Sequence, residues 1–170
     1  MSAVRIGGLA VLLLVLIAIQ DAALRYVAVW GVVPNLALLV VIAAAVVRGS
    51  DYGAGIGFIA GLLLDLVPPA SGTAGRWALA LVIVGYLAGK VSADVRRSRR
   101  AMAVLVAGSS FVATSVYALS GVFLGDVPME SGRMPLVIVV GVIVDVIAAA
   151  VLLPAAVALV RRLRPAQALV

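Results

Sequence analysis

The sequence predicts an all-α, polytopic membrane protein with six transmembrane helices, residues 1–170 forming a single integral membrane domain. Two observations carry that class. Hydrophobic residues make up 65% of the 170 and charged residues only 12%, with a mean hydropathy of +1.29. A soluble domain is about 45–50% apolar and about 25% charged, and a disordered chain needs low hydrophobicity. The apolar residues also fall into runs. One crossing takes about 20 residues, so the length has room for about six and leaves some 50 residues for loops and ends.

The first predicted span runs from Ile6 to about Leu24 and is opened by Arg5. A basic start before an apolar run also describes a signal peptide, but Gln20-Asp21-Ala22-Ala23 makes a poor cleavage site and the hydrophobic pattern continues beyond it. The second span, 32–47, has Pro34 in its first turn, where a missing N–H costs nothing. A turn at Arg48-Gly49-Ser50-Asp51 leads to the third span, 53–67, stopped by Pro68 and Pro69. The fourth, 77–91, starts on Trp77, an interfacial anchor. These two segments are short enough to form a shallow hairpin instead of two full crossings. A basic loop with Arg96, Arg97, Arg99 and Arg100 precedes the fifth span, 101–124. The sixth, 135–160, carries Pro154, which predicts a kink.

Charge placement orients these spans. With the N-terminus in the cytoplasm, the inner side holds Arg5, Arg48, Lys90, Arg96, Arg97, Arg99, Arg100, Arg161, Arg162 and Arg164, and the outer side only Arg25, Arg76 and Arg133. That asymmetry follows the positive-inside rule and puts both termini in the cytoplasm. The net charge of +6 is then explained by membrane orientation and anionic headgroups rather than nucleic acid. The basic loop meets headgroups on this reading, with docking of a cytoplasmic protein as the second possibility.

Composition also limits the chemistry. The chain has no Cys and no His, which removes disulfides, iron–sulfur clusters, imidazole zinc sites and His-based nucleophilic triads. Ser109-Ser110 has no base beside it to activate a hydroxyl. No catalytic residue, cofactor site or metal site is expected.

The residues that stand out are acids and glycines inside spans. An ionisable group at the bilayer centre costs about 2.5 kcal/mol or more, so it needs a reason. Asp21 and Asp65 lie toward the outer side, where Arg25 and Arg76 offer neutralising partners; Asp145, ten residues beyond Pro135, lies near the midplane. Gly53, Gly57, Gly61 and Asp65 recur every four residues and make one ridge. Gly141, Asp145 and Ala149 repeat the pattern, and Gly85 and Gly89 give a further small pair. Small residues let helix backbones approach in lipid, so these positions form helix-packing faces or a partner interface, and they also permit a homodimer. Ser110, Thr114, Tyr117 and Gly121 share a face on the fifth span and offer polar company. Asp145 reads first as a structural contact and second as part of a proton or cation relay.

Several runs together resemble the MreD family of rod shape-determining proteins. Pro34-Asn35-Leu36 opens an apolar helix that Arg48-Gly49 ends; Gly57-Phe58-Ile59-Ala60-Gly61-Leu62-Leu63-Leu64-Asp65-Leu66 follows; then Val84-Gly85-Tyr86-Leu87-Ala88-Gly89, and a late Pro154 before Arg161-Arg162. One departure is Asn35, where many members carry an acid, while Asp145 stands where an Asn is common. If the two positions meet, the acid has moved between helices. The resemblance implies a non-enzymatic membrane subunit of the bacterial cell-wall elongation machinery, in the inner (plasma) membrane. It implies binding to MreC and, indirectly, to MreB, a RodA-type glycosyltransferase and a class B penicillin-binding protein. It also implies a fold similar to the substrate-binding subunits of energy-coupling-factor transporters. The alternative function is such a vitamin-binding subunit, with Asp65 or Asp145 on the ligand; the outer half is poor in the convergent polar and aromatic groups a pocket needs.

Overall fold

A computed structural model describes Leu13, residues 15–18 and 20, and residues 33–66, 73–95, 98–125 and 134–162. Every regular element among them is helical: α1 (Leu36–Arg48), α2 (Ser50–Leu66), α3 (Arg76–Lys90), a single turn α4 (Ser92–Val95), α5 (Arg99–Phe123) and α6 (Met134–Arg162). Leu13, residues 15–18 and Gln20 are helical as well. Most of the first predicted span, Asp21, Arg25, Pro68, Pro69, Arg96, Arg97 and Arg133 lie outside the described residues.

α1 is the centre of the fold. Its sequence from Leu36 to Val47 contains only Leu, Ala, Val and Ile, and each of those residues is buried. A helix that is apolar on every side has no face to give to water and belongs in a core. It packs against α2, α3, α5 and α6, with Leu13 and Ile17 joining the same apolar cluster. At 13 residues it is about 20 Å long, short of the roughly 30 Å of a hydrocarbon core.

Local chemistry sets the breaks. The expected turn at Arg48 to Asp51 reduces to one residue: α1 ends on Gly49 and α2 begins at Ser50. Gly49 has φ +93°, a conformation that residues with a Cβ rarely take. Pro34 was expected in the first turn of its helix and instead precedes it, with Asn35 as the N-cap. That assignment follows from the side chain: Asn35 Oδ1 accepts from the Leu38 N–H at 3.0 Å, the bond that defines a cap. The helix continues through Pro154 to Arg162. The predicted basic loop contains the turn α4.

Two helices, Arg99–Phe123 and Pro135–Arg162, are long and apolar enough to cross a membrane by length and composition. The expectation of six full crossings therefore rests on the sequence; α2 and α3, at 17 and 15 residues, are about 25 and 22 Å long.

Among the described residues, α2 and α3 lie antiparallel in the most extensive helix contact. A methyl group placed on Gly53, Gly57 or Gly61 would fall under 3.0 Å from backbone atoms of Gly85, Leu81 and Ala78 respectively, and one on Gly89 would meet the backbone of Ser50. The glycines remove the side-chain layer, so dispersion contacts form backbone to backbone, which is the available attraction between helices in lipid. The ridge of α2 is thus filled by α3 of the same chain. Gly55 is the internal control, because nothing lies within 4 Å of a Cβ built there. Gly57→Leu should therefore separate α2 from α3 and give an aggregated, early-melting protein in detergent. Gly55→Ala should leave the melting temperature unchanged or raise it, since Ala is better in a helix by about 1 kcal/mol. Size-exclusion profiles and thermal unfolding of the two variants check this; equal behaviour would contradict the packing.

Candidate functional site

The candidate site begins at the start of α1, where the first N–H groups of a helix have no partner within it. In water this costs little. Here the start is packed inside the protein, so each donor needs an acceptor. Three side chains supply them. The N–H of Asn35 donates to Asp145 Oδ1 at 2.7 Å, that of Leu36 to Gln20 Oε1 at 2.8 Å, and that of Leu38 to Asn35 Oδ1.

Asp145 is placed for this by α6. It is the twelfth of 29 residues, about 5 Å from the middle of that helix, and is 4% exposed. Its second oxygen accepts from the Ser110 hydroxyl of α5 at 2.6 Å. One carboxylate therefore joins α1, α5 and α6. Gly141 and Ala149, four residues before and after it, are buried on the same face. A negative group at a helix N-terminus is also favoured by the helix dipole. The bond from Asn35 therefore sets the start of α1 level with the middle of α6.

Asn35 and Asp145, the two positions that the resemblance set side by side, are thus in direct contact. Ser110, on the polar face read from α5, meets it. Gln20 was not singled out; its signal was a lone amide inside an apolar run. The cap by Asn35 was not read, because Pro34 fits a helix's first turn; its signal was an Asn directly before an apolar run.

A second polar cluster lies where α2 ends and α3 begins. α3 starts on Gly75, which has no side chain to cap it. Asp65, the last residue but one of α2, does so instead: Oδ2 accepts from the N–H of Gly75 at 2.9 Å and of Ala78 at 3.1 Å, and Oδ1 from that of Trp77 at 3.1 Å. The expected Asp65–Arg76 neutralisation takes a different form. The buried Arg76 guanidinium donates to the Tyr117 carbonyl at 2.8 Å and lies 4.0 Å from the Tyr117 ring centroid, with Ser120 Oγ at 3.4 Å from its Nε. Trp77 stacks on the same ring at 4.4 Å. Tyr117, also on the polar face read from α5, thus ties α5 to the start of α3.

Both acids are acceptors of hydrogen bonds within the chain, and no group of three or more His, Cys, Asp or Glu residues able to hold a metal ion occurs among the described residues. The arrangement can fix helix positions. Asp145→Leu leaves the Asn35 N–H and the Ser110 hydroxyl without their acceptor, and a buried unsatisfied donor costs about 1–3 kcal/mol. That variant should lose the well-folded state in detergent. Asp145→Asn should keep most of it, because the amide oxygen accepts from Asn35 while its NH₂ donates to Ser110 Oγ. Thermal unfolding measures both; equal loss in the two variants would mean that the negative charge itself is required.

No curated protein and no solved structure matches the chain, so the expected likeness to energy-coupling-factor substrate-binding subunits has no solved structure behind it. A family model does match. It describes the rod shape-determining protein MreD, and it covers residues 4–163, taking in the whole of α1 to α6. The chain accordingly belongs to the MreD family of rod shape-determining membrane proteins.

Proposed function

We propose that this chain is a multi-pass, non-enzymatic subunit of the cell-wall elongation machinery in the bacterial plasma membrane. It maintains rod shape by binding MreC, and through MreC it is linked to MreB and to the peptidoglycan synthases, a RodA-type glycosyltransferase and a class B penicillin-binding protein. The family match over residues 4–163 carries this reading. The chemistry of the two polar clusters supports it: Asp145 and Asp65 hold helix starts in place, as a scaffold requires.

In this account the chain presents a fixed outer surface to its partners. The glycines Gly53, Gly57, Gly61, Gly85 and Gly89 are occupied within the chain. A partner's membrane span would meet the outward face of α6, where Ile143, Ile147 and Val151 are exposed.

A tagged pull-down from gently solubilised native membranes, read by mass spectrometry, tests the proposal. Recovery of MreC together with cell-wall synthases is the expected result. Recovery of a transmembrane coupling subunit with paired ATPases, and without MreC, would overturn it in favour of vitamin transport.

A further inference from the structure

We infer that the start of α5 and the outward stripe beneath it form a binding site for an anionic phospholipid. The argument begins with cations that have a reason in the fold. Arg48, Lys90, Arg161 and Arg162 stand in the last turns of α1, α3 and α6, where the helix dipole favours positive charge. Arg48 and Lys90 also lie over tyrosine rings, at 4.4 Å from the centroid of Tyr52 and 5.2 Å from that of Tyr86.

Arg99 and Arg100 are placed the other way. They open α5, at the end where the dipole disfavours them, and its first turn holds no acid. Both are exposed, and among the described residues neither has an ion-pair partner. No ion pair among the described residues uses these two charges, so an external anion is what they suit.

The surface that continues from them is apolar. Arg100, Ala103, Val104, Gly108 and Phe111 share one face at helical spacing, and all are exposed. Val104 and Phe111 are 71% and 56% accessible. Between them, nothing lies within 4 Å of a Cβ built on Gly108, which leaves a notch in the stripe. From Arg100 to Phe111 the helix rises about 16 Å, close to the roughly 15 Å of one leaflet's hydrocarbon. The geometry therefore fits one amphiphile: a phosphate against the guanidinium pair and an acyl chain along the stripe, seated in the notch at Gly108. Paired cations at the headgroup level select anionic over zwitterionic lipid.

The test uses the full chain in mild detergent, mixed with phosphatidylglycerol, with phosphatidylcholine, or with inorganic phosphate, and bound lipid is counted by native mass spectrometry. Wild-type protein should retain phosphatidylglycerol in preference to phosphatidylcholine. Arg99→Gln with Arg100→Gln should weaken phosphatidylglycerol binding roughly tenfold or more. Gly108→Leu, which fills the notch and leaves the charge unchanged, should reduce retention as well. All three positions are exposed, so unchanged melting temperatures should accompany these losses. Equal phosphatidylglycerol retention by wild type and the double arginine variant would overturn the site. So would complete displacement of the lipid by inorganic phosphate, which would make it a site for a free anion.

Discussion

The start of α1 constrains the rest of the structure. A helix that is apolar and buried from Leu36 to Val47 packs among the others, and the N–H groups that open it must be satisfied there. One carboxylate from the middle of α6 takes the first of them and at the same time takes the hydroxyl of Ser110 on α5. The position of α1 is therefore set by two other helices through a single side chain. In water such a cap is a minor local matter. Among packed apolar helices no solvent competes for the donors, and an unmatched one is costly.

The remaining contacts follow from that placement. Gly49 turns the chain back at the end of α1 with a positive φ, and this lays α2 against it. Gly53 of α2 then approaches both Ala45 of α1 and Gly85 of α3, so the glycine crossing continues directly from the central helix. Asp65 at the far end of α2 collects the first N–H groups of α3, and Arg76 carries α3 onto Tyr117 of α5. Acid-to-helix-start contacts thus occur twice, at α1 and at α3, and each time the acid comes from a different helix. Helix order and relative depth are fixed by these hydrogen bonds, while close packing supplies attraction without direction.

Much of this was legible in the residues. The every-fourth-residue spacing of Gly53, Gly57, Gly61 and Gly85, Gly89 marks faces meant for close approach, because glycine in a helix is otherwise unfavourable. Which face met which was not legible, since small residues carry no partner-specific chemistry. The polar face of α5 was visible in Ser110 and Tyr117, and a meeting of Asn35 with Asp145 was raised only as a condition attached to the family resemblance. The role of Asp65 was misread for a physical reason. A sequence displays charged side chains, so Arg76 looked like its partner, whereas its acceptors are used by backbone N–H groups that every residue possesses. The clue was the bare Gly75 at the start of α3, a helix with no cap of its own.

The central claim is that the Asp145 carboxylate holds the first N–H of α1. Solution NMR of the isotope-labelled protein in micelles addresses that bond directly through the Asn35 amide proton. A short bond to a carboxylate should place this resonance far downfield, and Asp145→Ala should move it upfield. The Gly53 amide, which donates to the Gly49 carbonyl at 3.0 Å, should stay where it is. An Asn35 amide at an ordinary position in the wild-type protein, or one unmoved by Asp145→Ala, would contradict the account.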